Sequence, residues 1–148
     1  MLKFLQSKKG SSVPGSFLMV ILVSVMMLSA AAYFSYETTQ YRFISITNKA
    51  MDQVLVSGYM SAEVRNQLYD DLKSIGMKDR NDVIITTVPA SVAQGNANNL
   101  VPRGDTITMT VIYDNPHYLG SILQFIIPGT DPDKFIIGHK MEGMCERW

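Results

Sequence analysis

Eighteen consecutive residues, Phe17 to Phe34 (FLMVILVSVMMLSAAAYF), contain no charge, no glycine and no proline. As a helix this run rises roughly 27 Å, or roughly 31 Å when extended to Ser16 and Tyr36. That length matches a bilayer hydrocarbon core of about 30 Å. A helix is required there, because a lone strand would leave its backbone polar groups unsatisfied in lipid. Tyr33, Tyr36 and Tyr41 follow at the far end, where a ring can stay apolar while its hydroxyl stays wet. Lys3, Lys8 and Lys9 precede the run, and no acidic residue occurs before Glu37. This asymmetry predicts a single-pass protein of the cell membrane, with a cytoplasmic N-terminus and an extracytoplasmic C-terminal domain. Residues 1–12 read as a basic leader and residues 13–36 as the transmembrane helix. A cleaved secretory signal is the alternative. The run Phe17 to Leu28 would be its apolar core, and Ser29, Ala30, Ala31 and Ala32 the small residues before a cut after Ala32.

No helix breaker occurs between Phe17 and Ser57, so the helix is expected to continue outside the bilayer over residues 37–58. Phe43, Ala50 and Val54 share a face at helical spacing, with Ile44, Met51 and Leu55 beside them. Gly58 suits a left-handed C-terminal cap. A second helix is predicted from the N-cap Ser61 to the stop at Gly76, with an apolar stripe of Val64, Leu68, Leu72 and Ile75.

Beyond it the periodicity changes. Asp82 to Val88 is rich in β-branched residues and closed by Pro89. Residues 89–104 read as a mobile surface loop. Thr106 to Tyr113 (TITMTVIY) alternates, with Ile107, Met109, Val111 and Tyr113 on one face. Tyr118 to Ile127 is strongly apolar and reads as helix or strand; a short helix is favoured, resting on the membrane or filling a subunit contact. Lys134 to Met144 is the expected last strand, weakened by Gly138 and Gly143. The fold class is therefore α+β: a long N-terminal helix, half in the membrane and half amphipathic outside it, and a small antiparallel β-sheet packed against its outer part and a second short helix. Residues 59–148 form the small α+β domain. A sheet this small needs the helices, or neighbouring subunits, to bury its surface.

The chemistry-bearing residues are sparse. After the leader the chain is mildly acidic, which argues against nucleic-acid binding. One cysteine, Cys145, excludes an intrachain disulfide, and with His117 and His139 it makes too few ligands for structural zinc. Asp70 and Asp71 are adjacent and diverge by about 100° on a helix, which suits a solvated face rather than a carboxylate pair. No phosphate-cradling glycine motif or recognisable triad spacing is present. The reading is of a protein that is not an enzyme, with no cofactor, no metal and no small-molecule substrate evident. Arg103-Gly104-Asp105 spells a tripeptide that adhesion receptors recognise. Its ordinary reading is a turn feeding the strand that starts at Thr106.

The order of these features resembles the TadE-like pilus-assembly proteins, within the wider set of type IV pilin-like proteins. The matching leader is Lys8-Lys9-Gly10 followed by Ser11, and the ending runs through Thr106–Tyr113, Asn115-Pro116, an apolar stretch and His139 to Glu142. The resemblance implies prepilin-type processing between Gly10 and Ser11, a membrane helix running on outside, and a β-rich end domain. One departure stands out. Counting from Ser11, the fifth residue is Gly15, where pilin-like proteins usually carry a glutamate that assists assembly. A minor pilin-like component, or an uncleaved subunit of a related secretion or conjugation apparatus, fits this better than a major pilin.

The expected function is that of an anchored structural subunit. Its partners would be the lipid bilayer and other pilin-like or apparatus subunits, including itself. Ser24, Ser29, Ala30, Ala31 and Ala32 are the candidates for close helix packing in the membrane. Phe43, Ala50 and Val54 are the candidates on the outer half, where packing on sister subunits is expected. The alternative is a secreted binding or adhesion module, cut after Ala32 and acting through Arg103, Gly104 and Asp105.

Overall fold

The computed structural model describes residues 12–77, 79–95, 100–113 and 136–146. The expected helix at 118–127, His117 and the processing pair Gly10 and Ser11 lie outside the described residues. The described residues form an α+β arrangement of a long helix α1 (Ser12–Ser57), a short helix α2 (Ala62–Lys73) and three strands. The strands are β1 (Val83–Val88), β2 (Thr106–Tyr113) and β3 (Ile137–Met144), in the spatial order β1-β2-β3 and antiparallel throughout.

Helix α1 is 46 residues long, roughly 69 Å at 1.5 Å per residue. It ends where the sequence places its first later glycine. Gly58 adopts φ 76° and donates its N–H to the Val54 carbonyl at 2.7 Å, a C-terminal cap that an L side chain would strain. The chain then reverses. Ser61 caps α2 by accepting from the Val64 N–H at 3.2 Å. The pairs Lys49–Asp71 (3.1 Å) and Gln53–Gln67 (3.4 Å) run in opposite order along the two helices, so α2 lies antiparallel to α1. Leu68 and Leu72 carry its predicted stripe into the core, flanked by the half-buried Val64 and Ile75.

The sheet presents one face to the helices. Its alternation in β2 turns Ile107, Met109, Val111 and Tyr113 inward, all 6 % exposed or less. The register adds Val83 and Thr87 from β1, and Ile137 and Met141 from β3. Phe43, Ala50, Met51 and Val54 of α1 complete this core. Residues 37–58 are thus not merely a stalk: their buried face is one wall of the domain. Thr47 is also fully buried there, its hydroxyl donating to the Phe43 carbonyl at 2.9 Å, so it leaves no unsatisfied polar group.

Helix α1 runs alongside β3 in the same direction. His139 Nε2 lies 3.1 Å from Asn48 Oδ1, and seven residues up the helix Leu55 covers Gly143. A Cβ on Gly143 would sit 2.6 Å from Leu55 Cδ1. The two glycines expected to weaken this strand do not interrupt it, and Gly143 is what lets the helix approach.

The segment after β1 corrects the expectation of a mobile surface loop. Ala90–Gln94 forms a 3-10 turn that buries Val92, and Val101 is buried further on. Both are stitched to the α1–α2 reversal: Met60 N–H donates to Val92 O at 3.0 Å, and Val101 N–H to Gly58 O at 3.2 Å. The Arg65 guanidinium also donates to the Ala93 carbonyl. Isolated apolar residues in an otherwise polar stretch are the sequence signal for this anchoring.

Tyr113 closes the core at the end of β2 nearest the start of β1, its hydroxyl donating to Gly76 O at 3.4 Å. Burial, and then the nearby Asp82 carboxylate, raise its phenol above the usual 10.0. A pKa raised by folding contributes stability that is intact below the unfolded value and is lost as pH rises through the folded one. Tyr113→Phe removes this titration. Its alkaline unfolding midpoint, followed by circular dichroism, should lie at higher pH than that of the parent chain.

Candidate functional site

The feature that sets this molecule apart is the change of environment along α1. From Phe17 to Leu28 every large apolar side chain is exposed, between 47 % and 71 %. The helix is long and apolar enough to cross a membrane, and only 6 % of its most apolar stretch is buried. From Phe43 onward the same helix is a core element. The first half presents an apolar surface that the described part of the domain does not cover, as a membrane span or a signal sequence would.

The candidate packing residues fall on both sides of this change. Ser24, Ala30 and Ala31 are exposed, Ser29 is half-buried and Ala32 is buried. The Ser29 hydroxyl donates to Val25 O at 2.8 Å within its own helix, so it requires no second helix to satisfy it. Phe43, Ala50 and Val54 are at most 4 % exposed, in the chain's own core. The expectation that they pack on sister subunits is corrected: their spacing marks a buried face, and the domain's sheet and second helix occupy it. Between Lys49 of α1 and Asp71 of α2 the gap holds about 10 Å³, room for about one water.

Arg103, Gly104 and Asp105 are exposed, in a tight turn. Asp105 N–H donates to Pro102 O at 3.2 Å, and Gly104 sits at φ 88°, the geometry of a type II turn with glycine at its third position. Gly104 N–H donates to Cys145 O at 2.9 Å and Cys145 N–H to Asp105 O at 2.8 Å. Two residues thus oppose one, a glycine bulge that starts the β2–β3 ladder. Gly104→Ala should destabilise the domain by about 1–3 kcal/mol, measured as a fall in urea midpoint with the slope unchanged.

The remaining chemistry-bearing groups have structural partners. Cys145 is buried, its thiol 3.5 Å from Val101 O. Asp71 bridges to Lys49, whereas Asp70 is exposed. Among the described residues no three His, Cys, Asp or Glu side chains gather as a metal site. Sequence reasoning did not find the Asn48–His139 contact or the Leu55–Gly143 approach, because neither residue pair shares a local pattern. Comparisons with protein-family models, with curated proteins and with solved structures find no match to this chain.

Proposed function

We propose that this chain is a non-enzymatic, membrane-anchored subunit of a pilin-like surface, secretion or conjugation apparatus. The first half of α1 spans the bilayer, and the domain built on its second half stands outside the cytoplasm. The observation that carries this reading is one unbroken helix, exposed and apolar at one end and buried in a folded core at the other. Such a helix couples the domain rigidly to its anchor, because no glycine or proline interrupts it between Phe17 and Ser57. A rigid coupling serves a subunit that must hold its domain at a set height and direction. Lys3, Lys8 and Lys9 support the orientation, and the order of elements supports the TadE-like resemblance.

The test is intact mass and N-terminal sequencing of the protein from membrane and medium fractions, with protease added outside the cell. The reading expects a membrane-bound chain that starts at Ser11 or Met1 and loses its domain to the protease. A soluble chain starting at Tyr33 would replace it with the secreted module.

A further inference from the structure

We propose that copies anchored in one membrane join edge to edge, β3 of one protomer pairing in parallel with β1 of its neighbour. This deepens the anchored-subunit reading and rests on it. Among the described residues no strand lies beyond β1 or β3, so within them each edge presents a row of backbone donors and acceptors.

The bulge at Gly104 sets which groups those are. Cys145 bonds to Asp105, so alternation in an antiparallel ladder assigns the odd-numbered residues of β3 to β2. The N–H and C=O of Gly138, Lys140 and Glu142 therefore face outward. The same alternation carried across β2 turns Val83, Ile85 and Thr87 of β1 outward.

The anchor selects among the ways two such edges can meet. Helix α1 runs alongside β3 in the same direction, through the Asn48–His139 and Leu55–Gly143 contacts. Two copies in one bilayer must have parallel α1 helices, and so parallel edge strands. An antiparallel β3–β3 pair would turn the second anchor away from the membrane. A parallel β3–β3 pair at equal height sets outward-facing groups against each other without the one-residue offset that a parallel ladder needs. The heterologous pair meets both conditions. Strands β1 and β3 are each antiparallel to β2, hence parallel to one another.

Their heights also match. Thr86, Thr110 and Lys140 form one row of the sheet, and Ile84, Ile112 and Gly138 another. Copies standing level place Lys140 beside the partner's Thr86 and Gly138 beside the partner's Ile84. The partner's Ile85 then lies between them, its N–H donating to Gly138 O and its carbonyl accepting from Lys140 N–H. Strand β1 has no charged residue, so Lys140 meets no like charge on it. Ile84, 51 % exposed, gains cover. At the far end the Ala90–Gln94 turn folds back on Thr87, through Ala93 N–H and Thr87 Oγ1 at 3.1 Å, which confines the pairing to the half nearer the anchor. A contact of this kind is heterologous and repeats into a ring or an open row.

The test is disulfide trapping of the full chain in membranes, in a Cys145→Ala background. The double variant Thr86→Cys/Lys140→Cys should give a ladder of oligomers on oxidation, and each single variant should remain monomeric. Gly138→Pro removes an outward N–H without breaking a bond to β2, and should reduce the ladder at least tenfold while leaving the melting temperature within a few degrees. The pair Ile84→Cys/Gly138→Cys repeats the measurement on the next row, should the first pair fold poorly. A Lys140→Cys single variant that cross-links as strongly as the double overturns the proposal. So does the absence of a ladder from folded, membrane-bound double variants. A chain absent from the membrane fraction fails the anchored reading itself, whereas an anchored chain without a ladder fails the edge pairing alone.

Discussion

Phe43→Ala should lower the stability of the folded domain by about 3–5 kcal/mol, the cost of emptying a large aromatic site in a packed core. Phe43 is 0 % exposed, in one cluster with residues from both helices and all three strands. The site is walled by rigid elements, so the cavity collapses only in part. For a domain of this size the loss corresponds to a fall in melting temperature of about 15 °C or more. The measurement is thermal unfolding of the detergent-solubilised chain, followed by circular dichroism at several protein concentrations. Tyr41→Ala is the control. It lies two residues away, is 70 % exposed, and should change stability by about 0.5 kcal/mol or less. If Phe43 served a contact between subunits instead, its substitution would leave the melt of the dilute monomer unchanged. Equal effects from the two substitutions would show that the helix does not hold this face against the sheet.

The second large effect concerns the other half of α1. Met26→Asp places a charge near the centre of the exposed apolar run, where Met26 is 65 % exposed. Held by lipid, the helix should lose about 2.5–3.5 kcal/mol of insertion free energy. Alkaline extraction reads this directly: the parent chain should stay with the membrane pellet, and a large fraction of the variant should leave it. The domain itself should be unaffected, because no core residue is altered. A Met26→Asp chain that remains fully in the pellet would mean that lipid does not surround this helix.

These two substitutions separate what was readable along the chain from what was not. The apolar run, its continuation to Gly58 and the alternation in β2 are local patterns, and each reflects one solvent boundary repeated at the period of its element. Phe43, Ala50 and Val54 were legible as a face for the same reason. The sheet was expected on the outer helix, yet a 3.6-residue period states only that a side is buried, so it does not assign this face to the sheet rather than to sister subunits. The loop after Pro89 hides its packing, because its polar composition masks two apolar anchors, Val92 and Val101, whose partners at Met60 and Gly58 are distant in sequence. Arg103-Gly104-Asp105 was legible as a turn, yet the bulge it makes depends on Cys145, some forty residues away.

Local pattern alone specifies the α+β class, the length of the helix, its change from apolar to amphipathic and the places where the chain must turn. Those properties follow from hydrophobic period, from the absence of breakers and from glycine at the caps, and all act within a few residues. That α1 runs alongside β3, and that both sheet edges therefore run parallel to the helix, came from the packed domain alone. Register and direction depend on contacts such as Asn48–His139 and Leu55–Gly143, made between elements about ninety residues apart. No local pattern encodes them, because packing sums the shapes of every face that closes on the core.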